Sequence, residues 1–535
     1  MSALAANAGD AAHDSQGRMK RPAIECEAKF VVRDEASLRR APKVIRRCGV
    51  RLGPARRLHV RDVYLDTDDH WLLRAGVGLR ARFDGTRAML TLKTLRADDE
   101  RLVRRMEWEE THAARTIRLP GPLPRGDIAR WLRQARGPSI LFSLVELDHE
   151  REEYDATDES GAVFKLSLDR VRVANAAPDA EVFREVEIEL QGGTPSALKK
   201  LIRRIERQTG WRPSRTSKLE RGLRATGIEP PPPPAAARYT PTPDMPLIEA
   251  AWRVLGACFA EFERAEPGAR AGLDPESLHD MRVAARRMRA ALQVYGSAWP
   301  PDFVRRTRIR LKALFRVMGR VRDLDVGAAR LRQWAPRHPR VPCTAWAARL
   351  DARRDAAWQQ MLRHLKTSAF QRWMAELHGQ LDGPPPTSEL PEEAYERVGA
   401  AAPEILRRRF KRARRAARNL DARAPDAAFH ELRIRVKKLR YTIEFFAGLH
   451  PKAARRLDKR LRRMQDELGA FQDDAALRAL VQEPATDDEP IPPREPLERL
   501  IEKHMRMSRR AILKSCGCFT ARETHRLIEH LTDLT

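Results

Sequence analysis

The sequence predicts an α+β chain in which a β domain precedes an all-α domain, and three observations support this. Polar and apolar residues alternate at period two in most segments before residue 190, whereas apolar stripes of period 3.6 run through almost everything after residue 246. A proline-rich stretch, prolines 230–234 followed by Thr240-Pro241-Thr242-Pro243, separates the two patterns. Such a stretch favours polyproline II and acts as a semi-rigid spacer. Finally, 535 residues are too many for one hydrophobic core.

In chain order, residues 1–21 read as a disordered leader without an apolar signal region, and 22–225 as the β domain. Within it the alternation predicts strands at 23–32, 78–83, 88–95, 102–110, 163–173 and 182–190, with helices near 35–48, 126–135 and 195–208. Residues 226–245 form the linker and 246–535 the helical domain. Its breaks fall at Pro300-Pro301, 336–342, 384–386 and 490–493, the last preceded by the acidic run Asp487, Asp488 and Glu489.

Composition narrows the partners. A 42% hydrophobic and 33% charged chain suits globular domains rather than fibre or disorder. Residues 1–245 hold 45 Lys and Arg against 36 Asp and Glu, a net +9; residues 246–535 hold 57 against 38, a net +19. The basic excess implies an anionic partner and concentrates it on the helical half. Specific nucleic-acid binding is not expected, because 6% aromatic content offers few stacking platforms. Six scattered cysteines exclude a disulfide scaffold, and Cys516-Gly517-Cys518 lacks the second pair that a zinc site needs. No stretch is long and apolar enough to span a membrane, so a cytoplasmic protein is expected.

The β domain carries rows of charge. Glu25, Glu27 and Lys29 share one face of a strand, because alternate side chains point the same way. So do Arg80 and Arg82, Thr91 and Lys93, and the row Arg105, Glu107 and Glu109. Lys165, Ser167 and Asp169 form another row, as do Glu185, Glu187 and Glu189. One such row reads as the solvated face of a sheet. Several rows, many mixing both signs, read better as the charged interior of a barrel. There Lys and Arg would neutralise a polyanion and carboxylates would hold Mg²⁺ or Mn²⁺. Cys26 points away from that face and reads as core.

The helical half repeats itself. His279, Arg282, Arg286, Arg287 and Arg289 recur as His430, Arg433, Lys437, Lys438 and Arg440 at an offset of 151. Leu311, Leu314, Gly319 and Asp323 recur as Leu461, Met464, Gly469 and Asp473 at an offset of 150. The repeats span about 246–380 and 395–535. Steps of three, four and three put His279, Arg282, Arg286 and Arg289 on one helix face, and likewise His430, Arg433, Lys437 and Arg440. Packed with pseudo-twofold symmetry, the two stripes would line one basic groove. The run Arg407 to Arg415 extends the basic surface.

Glu25/Glu27/Lys29, the segment Asp62-Val-Tyr64-Leu-Asp66-Thr67, Arg80/Arg82, Lys93 and Glu187/Glu189 together resemble the CYTH superfamily, the triphosphate tunnel metalloenzymes. The resemblance covers about residues 22–225 and implies an eight-stranded antiparallel tunnel. It implies Lys29, Glu25 and Glu27 as catalytic residues, and Arg80, Arg82, Lys93, Arg151 and Lys218 as groups that grip the substrate. It further implies Glu25, Glu27, Asp169, Glu187 and Glu189 as ligands to Mg²⁺ or Mn²⁺. Glu107 and Glu109 both suit the mid-sequence acidic position, and Arg57, His59 and Arg61 are candidates for a further cation. The implied activity is hydrolysis of inorganic triphosphate. A class IV-like adenylate cyclase is the alternative, although no sequence feature identifies a base pocket; a tunnel that only binds is another.

The helical half, over about 246–525, resembles the CHAD domain. The motifs that carry this are His279 through Arg289, Val321-Arg322-Asp323-Leu324-Asp325-Val326, and His430 through Tyr441. The resemblance implies binding of inorganic polyphosphate through the two stripes, and association with polyphosphate granules. The second copy reads Phe471-Gln472-Asp473-Asp474 where the first reads Val321-Arg322-Asp323-Leu324, so equal contributions from the two copies are not expected.

Overall fold

The computed structural model describes residues 22–83, 87–96, 102–112, 117–176, 182–229, 239–386, 390–484 and 491–532. The expected leader, prolines 230–234 and the acidic run at 487–489 lie outside the described residues. Two compact units divide the chain: one is built from residues up to 233 together with 267–274, the other from the remainder.

The first unit runs β1 (Ala23–Val32), α1 (Glu35–Arg47), β2 (Val50–Leu52), β3 (Arg56–Asp66), α2 (Trp71–Arg74), β4 (Val77–Phe83) and β5 (Ala88–Thr94). It continues with β6 (Val103–His112), α3 (Asp127–Ala135), β7 (Phe142–Asp158), β8 (Val163–Val173), β9 (Phe183–Gly192), α4 (Pro195–Thr209) and α5 (Lys218–Ala225). Every pairing is antiparallel, in the order β2-β7-β3-β4-β5-β6-β1-β9-β8, and β8 pairs back onto β7. Eight strands therefore close into a barrel, with the short β2 attached to the end of β7. The six strands that alternation marks are all present; β2, β3 and β7 are additional.

Closure turns the pattern of β1 inside out relative to a solvated sheet. Cys26, Ala28 and Phe30 point outward, beneath α1 and α4, where they pack with Ile45, Leu201, Phe164 and Ile188. Phe30, Ile45, Leu201, Phe164 and Ile188 each contribute roughly 1.5–3 kcal/mol by leaving water. Glu25, Glu27 and Lys29, on the other face, have nowhere to go but the barrel interior, and all three are buried.

Helix α5 is fixed at both ends of its first turn. The Ser217 side chain accepts from the Glu220 backbone N–H, and the Glu220 carboxylate accepts from the Ser217 backbone N–H, forming a capping box. Leu219 and Leu223 pack on Val145, Leu147 and Val171. At Gly222 the helix lies so close that an added Cβ would sit 2.2 Å from Val145 Cγ1.

The second unit is helical: α6 (Leu247–Ala271, its residues from 267 on counting with the first unit), α7 (Pro275–Val294), α8 (Pro301–Trp334), α9 (Cys343–Leu365), α10 (Ser368–Asp382), then α11 (Val398–Arg418), α12 (Asp426–Phe445), α13 (Pro451–Gln482), α14 (Glu495–Thr520) and α15 (Arg522–Thr532). The helix order repeats, α6–α10 and then α11–α15. Pro301 and Pro451 sit at the first turns of α8 and α13, the positions a missing N–H tolerates. Corresponding helices meet: α7 packs on α12 and α8 on α13. Leu311 and Leu314, like Leu461 and Met464, are buried in this packing. Among the described residues, no helix is long and apolar enough to cross a membrane.

Candidate functional site

The barrel interior is built strand by strand. From β1 come Glu25, Glu27 and Lys29; from β4, Arg80 and Arg82; from β5, Thr91 and Lys93; from β6, Arg105 and Glu107. Register brings opposite signs together. Arg82 Nε lies 2.8 Å from Asp62 Oδ1, Lys93 Nζ is 2.7 Å from Glu25 and 3.0 Å from Glu107, and Arg151 Nε is 2.7 Å from Asp169 Oδ1. Lys29 Nζ sits 2.9 Å from Glu27 and 3.7 Å from Glu187. Lys218 Nζ, from the first residue of α5, is 2.6 Å from Glu185, 2.6 Å from Glu187 and 3.1 Å from Asp169.

These pairs set the ionisation. Burial opposes charge on every group, but around the cations it is outweighed by carboxylates. Glu187 and Glu27 raise Lys29, Asp62 raises Arg80, Glu25 raises Lys93, Asp169 raises Arg151, and Glu185 with Glu187 raises Lys218. Asp62 is fully buried, yet Arg80 and Arg82 hold it well below the usual carboxylate range. Glu27 behaves oppositely: burial, then Glu187 and Glu25, push it well up. Glu189 is pushed up to about 7 by burial and by Glu25 and Glu187.

Two trios of carboxylates converge, with ligand oxygens within 4.8 Å of one another: Glu25, Glu27 and Glu187, and Asp169, Glu185 and Glu187. In the first trio, Glu25 Oε2 and Glu27 Oε2 are buried without a hydrogen-bond donor, while Glu27 Oε1 faces Lys29 Nζ at 2.9 Å. Converging carboxylate oxygens, some of them without donors, fit a hard divalent cation.

Several expectations change in detail. Glu185 belongs to a trio and Glu189 stands outside both, although the two share a face with Glu187. Glu107 faces the interior and pairs with Lys93, whereas Glu109 is exposed. Arg57, His59 and Arg61 alternate with Asp62 and so fall on the outer face; all three are exposed, and Arg61 pairs with Glu146. Lys218 reaches the tunnel but is held by carboxylates. Asp62 and His149, whose Nε2 lies 3.3 Å from Asp62, join the site from β3 and β7. The Asp62-Val-Tyr64 motif pointed to the first; nothing in the sequence distinguishes His149 from a surface histidine.

In the helical unit the two stripes do meet. Arg433 on α12 is depressed by burial and then by Arg286 on α7, and Arg282 is lowered to about 10 by burial, with Arg286, Arg322 and Arg433 adding to it. Lys437 is lowered to about 6 by burial, Arg433, Arg286 and Arg440. Arg282 Nη1 and the Nε atoms of Arg286, Arg433 and Arg440 are buried with no hydrogen-bond acceptor. Arg289 lies over the Phe315 ring at 4.6 Å, beside a cavity of about 550 Å³ lined by Phe315, Arg316, Gly319, Arg320 and Asp323. Lys438 carries the band towards Arg409 and Arg412 of α11. The copies differ at their histidines: His430 is exposed and its Nδ1 lies 2.6 Å from Gln472 Oε1, while His279 is half-buried and depressed by burial and by Arg322.

Residues 23–223 match the CYTH domain family and residues 253–482 the CHAD domain family. Solved structures similar to the chain include the CHAD domain from the plant Ricinus communis, at 23% identity over 56% of this chain and 96% of that one, with a TM-score of 0.40. PptA from Streptomyces chartreusis matches at 18% identity over 51% of this chain and 100% of its own, with a TM-score of 0.41. HpAC1 from Hippeastrum, described as a putative adenylyl cyclase with a dominant triphosphatase activity, matches at 15% identity over 38% of this chain and 97% of its own, with a TM-score of 0.27. The chain is thus a CYTH domain and a CHAD domain joined in one polypeptide.

Proposed function

We propose that the barrel hydrolyses inorganic triphosphate to pyrophosphate and phosphate with Mg²⁺ or Mn²⁺, and that the helical unit binds inorganic polyphosphate. The observation that carries the first half is a carboxylate trio that keeps buried oxygens without donors, set beside part-buried cations inside one closed barrel. Glu25, Glu27 and Glu187 would hold the ion, which supplies charge neutralisation at phosphate oxygens. Arg80, Arg82, Lys93 and Arg151 bind the remaining oxygens; Asp62 keeps the first two guanidinium groups in place. Lys29 stands beside Glu27 and Glu187 and adds positive charge where negative charge spreads over the transferring phosphoryl group. Partial burial inside the barrel strengthens these contacts relative to water.

The helical half of the proposal rests on cations that are short of partners. Arg282, Arg286, Arg433 and Arg440 each keep a buried donor without an acceptor, which a chain of phosphates would supply. His279, Arg289, His430 and Lys437 complete the two stripes.

The test is phosphate release from inorganic triphosphate, ATP and thiamine triphosphate, each with Mg²⁺, Mn²⁺ or neither. Fast, metal-dependent release from inorganic triphosphate supports the reading. Conversion of ATP to cyclic AMP would replace it with a cyclase. No turnover of any of them by folded protein would leave a binding module.

A further inference from the structure

Two helices carry almost all of the net charge of residues 1–245. Helix α1 holds Arg39, Arg40, Lys43, Arg46 and Arg47 against Glu35, and α4 holds Lys199, Lys200, Arg203, Arg204 and Arg207 against Glu206. Residues 1–245 contain 45 basic and 36 acidic residues; outside these two helices 35 and 34 remain, a net +1. The basic excess of this half is therefore local.

The fold puts both helices on the outside of the barrel, over one wall. Leu38, Ala41 and Ile45 of α1 and Leu198, Leu201, Ile202 and Ile205 of α4 share the core that covers the outward face of β1. Arg204 Nη1 donates to Cys48 O at 2.9 Å and Gln208 Nε2 to Arg47 O at 3.3 Å, which ties the end of α4 to the end of α1. With the apolar faces buried, all ten cations are exposed. The tunnel lies on the other side of β1.

Helix stability does not call for this arrangement. Like charges stand four apart at 39, 43 and 47 and again at 199, 203 and 207, a spacing that sets them against one another on the helix surface. The helix dipole favours cations only in the last turn, yet α4 has no acidic residue in its first turn and carries Lys199 and Lys200 in its second. Glu35 is shared among Arg39, Arg170 and Arg184. Among the described residues Lys43, Arg47, Lys200 and Arg203 stand in no ion pair.

The make-up of the face selects its partner. Seven of the ten cations are arginines, whose forked donors match phosphate oxygens. The exposed positions of the two helices hold no aromatic or large apolar side chain. Nothing there would enter a lipid surface or stack on bases. A phosphate chain without bases needs neither, only a density of cations.

We propose that the outer faces of α1 and α4 form a docking surface for inorganic polyphosphate, separate from the tunnel. This goes beyond the reading above, which places polyphosphate on the helical unit alone.

The experiment measures affinity of the full chain for long-chain polyphosphate across a range of salt concentrations. A fourfold variant carries Lys43→Gln, Arg47→Gln, Lys200→Gln and Arg203→Gln. Its affinity should fall about tenfold or more, and the slope of log affinity against log salt should become shallower by about 3, as for four lost contacts to a single phosphate strand. Turnover of soluble triphosphate should not change, because none of the four reaches the tunnel. On the unsubstituted protein, polyphosphate should protect Lys43 and Lys200 from acetylation, a readout that does not depend on how the variant folds. Unchanged affinity in the fourfold variant, or full acetylation of both lysines under polyphosphate, would overturn the proposal. So would duplex DNA, RNA or anionic vesicles binding this face more tightly than polyphosphate at the same salt. Failure of the earlier reading looks different: Arg282→Ala with Arg433→Ala would then leave affinity intact while the fourfold variant still lost it.

Discussion

The barrel interior and the helical cluster both gather buried cations, yet they treat them in opposite ways. Every barrel cation whose ionisation shifts becomes harder to deprotonate, because a carboxylate stands beside it: Asp62 by Arg80, Glu25 by Lys93, Asp169 by Arg151. In the helical cluster Arg282, Arg289, Arg433, Lys437 and Lys438 all shift down, because burial is reinforced by other cations. The barrel's charges are therefore paired before any ligand arrives, as the proposed catalysis requires. The cluster is under-neutralised, and the proposed polyphosphate would supply the missing negative charge.

The largest effect expected of that contrast is on turnover. Lys29→Ala and Glu27→Ala should each lower triphosphate hydrolysis on the order of 10³-fold, with polyphosphate affinity unchanged; full activity in either would break the assignment of the tunnel. Next comes stability. Asp62→Asn strips the buried carboxylate from two part-buried arginines, Arg80 and Arg82, and should cost about 3 kcal/mol, visible as a drop in the denaturation midpoint. An unchanged midpoint would mean that the arginines do not depend on it.

In the helical unit the effects are smaller and fall on binding. Arg282→Ala or Arg433→Ala should weaken polyphosphate affinity about tenfold, measured by calorimetry, and leave turnover of soluble triphosphate intact. If turnover falls equally, the two regions are not separable in function.

The fourth prediction concerns pH. Lys437, at about 6, is mostly neutral at neutral pH; polyanion binding should return its proton. Affinity should thus be flat below pH 6 and decline above it, by at most ~tenfold per pH unit. Calorimetry in buffers of different ionisation enthalpy should show proton uptake at pH 7.5, absent in Lys437→Met. The same depression makes folding release a proton from Lys437, so its contribution to stability improves as pH rises from 6 towards the unfolded value. The smallest effect belongs to a pair of glutamates. Glu107→Gln, which loosens Lys93, should impair hydrolysis several-fold, while the exposed Glu109→Gln should change it less than about twofold. The reverse order would mean that β6 presents its other carboxylate to substrate.

Much of this was legible in residue order. Period-two rows on β1, β4, β5, β6, β8 and β9 and the repeated stripes on α7 and α12 were readable because side-chain direction follows from the backbone period alone. Strand β7 was harder to see. Its inward residues His149, Arg151 and Glu153 are as polar as its exposed Glu150, so the apolar contrast that marks a half-buried strand is missing. The same reason hid Asp62 and His149 as a pair, since they stand on different strands, 87 positions apart by their numbers.

By itself, then, the sequence determined the class of the fold, the place where β gives way to α, the duplication, and which side chains share a face. Parity along a strand is a local property and needs no partner. Which of those side chains meet was decided only by tertiary structure. Glu185 rather than Glu189 joins the trio, Lys218 is spent on carboxylates, and Arg286 and Arg433 crowd one another across the α7–α12 contact. Each of these depends on depth within the barrel, on register across strands, or on the approach of two helices far apart in the chain. Interactions between charges decay with distance through a medium set by burial, so their sign and size are properties of the packed molecule.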